Sequence, residues 1–149
     1  MREILFRGKR IDNGEWVEGN LITGRWYLNE QEIVAIVPLD NAFYPHCEIS
    51  EWHEVDPATV GQYTGMRDCR GNRIFEGDIV VYDNSPYNAY CEPIAGEIAW
   101  RNGSLCFKYK VWKSASYRSL CSDDFFAAKC EVIGNIHDNP ELLREEDDT

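Results

Sequence analysis

The sequence has no CxxC pair. Its six cysteines (Cys47, Cys69, Cys91, Cys106, Cys121, Cys130) are scattered, and the two nearest, Cys121 and Cys130, stand nine positions apart. That spacing argues against a zinc ribbon and against thioredoxin-type chemistry. No apolar run approaches the ~18–20 residues of a membrane-spanning helix. The N-terminal MREILFRGKR holds only Ile4-Leu5-Phe6, where a secretory signal needs ~7–15 apolar residues. The expectation is a cytoplasmic protein with no membrane contact, whose cysteines are reduced thiols. The signatures of nucleophilic serine hydrolases, zinc proteases, P-loops and dinucleotide-binding folds are all missing. The three histidines, His46, His53 and His137, form no i, i+4 pair. Repeats, low-complexity runs and long helical periodicities are absent too.

Acid outnumbers base, 26 to 15, for a formal charge of −11 over 149 residues. A whole-chain deficit of that size argues against a generic duplex-DNA binder, because phosphate affinity is built from clustered Lys and Arg. The aromatic content of 13% argues against disorder despite the charge. The length fits one domain, or two very small ones, and buries enough surface to fold without metal or disulfide. The deficit is uneven. Residues 1–65 carry −6, residues 66–140 only −1, and the tail ELLREEDDT −4. Ile98 to Ser122 contains no acid and five bases: Arg101, Lys108, Lys110, Lys113 and Arg118. Trp100, Phe107, Tyr109, Trp112 and Tyr117 interleave with them.

Strand signals dominate the chain. Glu3–Arg7 and Glu15–Leu21 flank the turn Asp12-Asn13-Gly14, whose residues tolerate positive φ and so predict a hairpin. Arg25–Leu28 and Ile33–Pro38 read as a second pair joined through Asn29–Glu32, and Asp40–Ser50 as irregular. Pro57 excludes a helix interior from the extended stretch opened by Val55. From Gly77 the order is a bend, the apolar strand Ile79–Tyr82, a long loop, Gly96–Trp100, the turn Arg101–Ser104 and the alternating strand Leu105–Lys113. A polar stretch follows, then a helical turn within Asp123–Lys129 and a last strand Glu131–Ile136. Asn139-Pro140-Glu141-Leu142-Leu143 reads as an N-capped helical turn with Pro at its first position. The fold class is all-β: an N-terminal β-hairpin region over residues 1–56, packed as one unit with a small SH3-like barrel over 57–149 that ends in a short helical turn.

Three blocks, FRGKRIDNGEWVEGNLI, VDPATVGQYTGMRDCRGNRIFEGDIV and EVIGNIHDNPELL, together resemble the YopX family of phage and prophage proteins. The resemblance implies a small β-barrel, a bacterial cell as host, and self-association into a homo-oligomer. It implies no activity and no cofactor. The basic aromatic stretch lies outside these blocks, so any function it carries belongs to this chain.

Candidate sites are few. His46-Cys47 with His53 lacks a fourth ligand, which leaves turn residues and a half-buried thiol as the plainer reading. Glu76 and Asp78 flank a glycine bend, where Asp commonly bonds its own backbone. Arg67, Arg70 and Arg73 surround a turn that could cradle phosphate, with Asp68 partly cancelling their charge. The best candidate is Arg101, Lys108, Lys110, Trp112, Lys113 and Arg118, since aromatics that stack on unpaired bases beside phosphate-tracking cations make single-strand sites on small barrels. Alternation places Phe107 and Tyr109 opposite the lysines, so a half-buried strand with solvated lysines is the simpler outcome. The leading expectation is a non-enzymatic accessory protein that self-associates and binds a phage or host protein; single-stranded nucleic-acid binding through 98–122 is the alternative.

Overall fold

A computed structural model describes residues 3–39, 42–43, 48–49, 51–83, 92–111, 114–120 and 124–144. Its strands are β1 (Phe6–Lys9), β2 (Trp16–Arg25), β3 (Glu32–Val37), β4 (Ala42–Phe43), β5 (Glu48–Ile49), β6 (His53–Glu54), β7 (Gly61–Arg67), β8 (Arg73–Phe75), β9 (Asp78–Tyr82), β10 (Ile94–Arg101), β11 (Ser104–Val111), β12 (Ser114–Ser119) and β13 (Cys130–Asn135). Among the described residues helix is confined to α1 (Asp124–Ala127) and to 3-10 turns, Pro57–Thr59 and Pro140–Leu143 among them. None of the described helices is long and apolar enough to cross a membrane. The chain is all-β, and it divides into two compact units, Met1–Tyr63 and Thr64–Thr149.

In the first unit, β1 and β2 form the expected hairpin, with Arg7 opposite Glu18 and Lys9 opposite Trp16. Gly14, at φ 72°, makes its turn. The second pair differs from expectation. Instead of a fresh strand over Arg25–Leu28, β2 runs unbroken to Arg25 and pairs with β3, Ile22 opposite Ala35 and Arg25 opposite Glu32. The reversal comes over Trp26–Gln31, closed by Trp26 N–H to Gln31 O and Glu30 N–H to Trp26 O. Glu30 at φ 56° absorbs the left-handed turn. β6 pairs with the other side of β3, and the first residues of β7 add to β1, Phe6 opposite Gln62. Within the expected irregular segment, β4 and β5 make a short antiparallel pair. Leu5, Ile36, Val37 and Val55 are fully or almost fully buried.

The second unit is a five-stranded antiparallel sheet in the order β12-β11-β10-β9-β13, joined by β8 and the distal half of β7. Asn102 and Gly103, at φ 50° and 79°, build the tight β10–β11 turn read from Arg101–Ser104. β12 is a strand where the sequence showed only a polar stretch: Ser114–Ser119 has little β preference of its own, and pairing with β11 supplies it. Among the described residues β12 and β13 stand at opposite edges of an open sheet, so the ring closure of an SH3-like barrel is not among the described pairings. At the far end Asn139 precedes the expected 3-10 turn but makes no side-chain cap bond; its Oδ1 accepts from Asn135 N instead.

The core of this unit follows strand parity. Ile74, Val80, Tyr82, Ile98, Phe107, Leu120, Phe126 and Cys130 form one cluster, with Met66, Leu105, Tyr109 and Val132 packed on it. Phe126 from α1 stacks on Tyr82 at 5.0 Å and tilts against Phe107 at 5.1 Å. The Phe107 ring lies so close to β10 that a Cβ on Gly96 would stand 2.5 Å from both its Cε2 and the Lys108 backbone oxygen. Backbone cannot yield as a flexible side chain does. Gly96→Ala should therefore lower stability by ~1–3 kcal/mol or more, seen as a lower urea midpoint with an unchanged denaturant slope.

Candidate interaction surfaces

The six candidate residues do not share one face. β11 alternates, sending Leu105, Phe107 and Tyr109 toward the core cluster and leaving Lys108 and Lys110 exposed on the other side. Antiparallel register then decides their neighbours. Glu97 of β10 stands opposite Lys108, and Tyr117 and Ala115 of β12 stand opposite Lys108 and Lys110. Arg101 joins this outer face from the end of β10, its guanidinium 3.6 Å from the centre of the Tyr117 ring. Arg118 belongs to the opposite side. It pairs with Phe107 and lays its guanidinium over Tyr82 at 5.1 Å and Phe126 at 5.7 Å. Trp112 and Lys113 lie outside the described residues. The structure thus gathers Arg101, Lys108 and Lys110 around Tyr117 and separates Arg118 from them.

Beside the lysines runs a groove of about 620 Å³. Its floor includes Ala95, Lys108, Lys110 and Ala115, and Leu142, Leu143 and Arg144 of the C-terminal turn form one wall. Glu92 and Glu97 also line it, so the surface carries both signs of charge. The sequence pointed to the bases; the C-terminal wall comes from tertiary packing that spacing does not encode.

The arginine turn has an internal use. Asp68 is buried and accepts from the backbone N–H of Arg70 at 3.0 Å, Asn72 at 2.8 Å and, across to β13, Val132 at 3.0 Å. Arg67 donates to Gly71 O at 2.9 Å, and Arg70 pairs with Glu131 at 3.0 Å. The donors that would have cradled a phosphate are spent on the turn and on its attachment to β13. Asp78 acts alike, its Oδ2 accepting Phe75 N–H at 2.7 Å. His53 Nε2 lies 2.7 Å from Glu51, while His46 and Cys47 lie outside the described residues. Among the described residues no group of three or more His, Cys, Asp or Glu is placed to hold a metal ion. Burial, with the nearby Asp68 carboxylate and Cys69, pushes the Cys130 thiol up to about 12. It is a core group rather than a nucleophile.

A surface that sequence reasoning missed lies in the first unit. Ile22, Gly24, Ile33 and Trp52 line an apolar groove of about 410 Å³, together with Arg25 and Trp26. Trp26 and Trp52 approach at 6.0 Å with their rings tilted 57°, each more than two-fifths exposed. Tyr27 and Leu28, at the hairpin tip, are 87% and 78% exposed. Reading Arg25–Leu28 as a strand hid this tip, since only the register of β2 on β3 shows that these side chains project past the sheet.

Burial tends to raise the Asp68 carboxyl, but the N–H donors of Val132, Asn72 and Arg70 and the Asn72 amide outweigh it and hold it below the ordinary 3.8. A depressed value contributes stability that is present above 3.8 and is lost as pH falls through the lower folded value. Asp68→Asn should lower stability at neutral pH by ~1–3 kcal/mol, because one amide cannot accept all these donors. It should also flatten the loss of stability below pH 3.8, both read from urea unfolding in steps of pH.

A solved structure shares this architecture. Protein EF1440 from Enterococcus faecalis is 29% identical, covers 97% of this chain and all of its own, and superposes with a TM-score of 0.62. No curated protein matches. The sequence model of the family described as YopX protein matches residues 5–144, nearly the whole chain, and the protein belongs to the YopX family.

Proposed function

We propose that this protein is a non-enzymatic phage or prophage accessory protein of the bacterial cytoplasm, which self-associates and binds a protein partner. The observation that carries the reading is the exposed apolar groove of the first unit. Aromatic side chains held half-exposed around a groove supply large contact area at small entropy cost, which is why Trp and Tyr are enriched at the centres of interfaces. Tyr27 and Leu28 extend that surface onto the hairpin tip. Arg25 beside the groove lies 3.7 Å from Glu32, a pairing that limits the charge two copies would bring together there. In the second unit, the succession of bend, strand, loop, strand, tight turn and strand from Gly77, wrapped on Phe107 and Phe126, supports an SH3-like barrel as its architecture.

Single-stranded nucleic-acid binding is the second reading, supported by the exposed Lys108 and Lys110. Against it, Arg118 is turned to the core rings, and Arg101 covers the Tyr117 face on which a base would stack.

Light scattering during size-exclusion chromatography at high micromolar concentration tests the self-association. The expected mass exceeds the 17.3 kDa of one chain, and Tyr27→Asp with Leu28→Asp should return it to a monomer. A clean monomer for the unaltered chain overturns the proposal.

A further inference from the structure

The two edges of the five-stranded sheet are treated differently. At β13 the turn of Asp68–Asn72 closes the edge, with Cys69 N–H bonded to Cys130 O and Val132 N–H bonded to the Asp68 carboxylate. Among the described residues β12 has no such cover at its centre. The bond from Leu120 N to Leu105 O sets the alternation of the β11–β12 ladder, in which Arg118 and Ser116 exchange bonds with β11. Ala115 and Tyr117 therefore aim their N–H and C=O groups away from the sheet, and no described group meets them. β12 also lacks the usual edge defences within that span, holding neither a proline nor a lysine. Immediately beside it lies the groove of Lys108, Lys110, Leu142 and Leu143.

We infer that the β12 edge and this groove together form a docking site for an extended acidic peptide, which adds as a strand beside Ala115–Tyr117 and directs its carboxylates toward Lys110 and Lys108. Main-chain bonds to the edge supply affinity and the groove selects alternate side chains, as in other strand-addition complexes. Charge decides the sign of the ligand. Lys108 and Lys110 are exposed and make no ion pair among the described residues, even though Glu97 stands opposite Lys108 in register. Arg144 adds a third cation at the wall. Three cations sharing a groove with Glu92 and Glu97 are too few to follow a phosphate backbone, but they suit a peptide of intermittent carboxylates. An unpaired strand edge recognises a peptide main chain and has no counterpart in a nucleic acid. This site is separate from the aromatic groove of the first unit, so a monomer by light scattering leaves it standing.

The test uses the full chain and a fluorescein-labelled decapeptide alternating Glu with Val and Thr, followed by fluorescence polarisation at low salt. Saturable binding that weakens with salt is expected. Lys108→Gln with Lys110→Gln should weaken it about tenfold. Ala115→Pro should do the same, because it removes an outward N–H while leaving the β11 ladder intact. Amide hydrogen exchange on the unaltered protein gives a reading independent of variant folding: the peptide should slow exchange at Ala115 and Tyr117. The inference is overturned by absent binding, by equal binding of a peptide with Lys in place of Glu, or by unchanged exchange at both amides. Undiminished binding to a folded Ala115→Pro also overturns it, and tighter binding of a ten-nucleotide oligothymidylate transfers the site to nucleic acid.

Discussion

The packing of Phe126 onto Tyr82 and Phe107 decides which side of the second unit's sheet is inside. Two strands and a helical turn converge on these rings: Tyr82 ends β9, Phe107 is central in β11, and Phe126 arrives from α1. Once Phe107 points inward, pleating leaves no freedom for its neighbours. Lys108 and Lys110 go outward, Gly96 must lack a side chain, and Arg118, paired with Phe107 across the ladder, is drawn over the rings. The half-buried guanidinium finds a cation–π partner there. The same ring cluster therefore both holds the unit together and breaks up a charge run that is continuous in sequence.

That division explains how far the sequence could be read. The alternation of Leu105–Lys110 gave the faces of β11 correctly, because period two is a local property. The turns at Asn13-Gly14 and Asn102-Gly103 were equally legible from the positive φ they require. Arg118 was misgrouped because its orientation depends on the register of β12, and Ser114–Ser119 carries no strand signal from which a register could be drawn. The Trp26–Trp52 groove was missed for a related reason: its two rings are brought together by β2, β3 and β6 pairing in order, a non-local event. The C-terminal wall of Leu142 and Leu143 was visible as a helical turn, but nothing in its spacing tells which strands it lies against.

The two units present different chemistry. The first offers a largely apolar face whose aromatic geometry is set by the pairing of β2, β3 and β6, suited to burying area. The second offers charge and an open strand edge, suited to polar, directional recognition. In a chain of −11, the exposed Lys108 and Lys110 share their sheet face with Ala115 and Tyr117 of the β12 edge.

The pairing of β9 with β13 has a consequence for how the chain comes to be folded. β9 through β12 follow one another as neighbours, so their contacts close short loops and form early. The other edge of β9 waits for residues 130–135, which complete the register Tyr82 opposite Cys130 through Asp78 opposite Asn135. On a ribosome, β9 therefore stays half-paired, and Asp68 lacks its Val132 donor, until residues 130–135 have been made. The last strand acts as the clasp of this unit, and a chain stopped short of it exposes Ile79, Val80 and Tyr82 to whatever strand comes by.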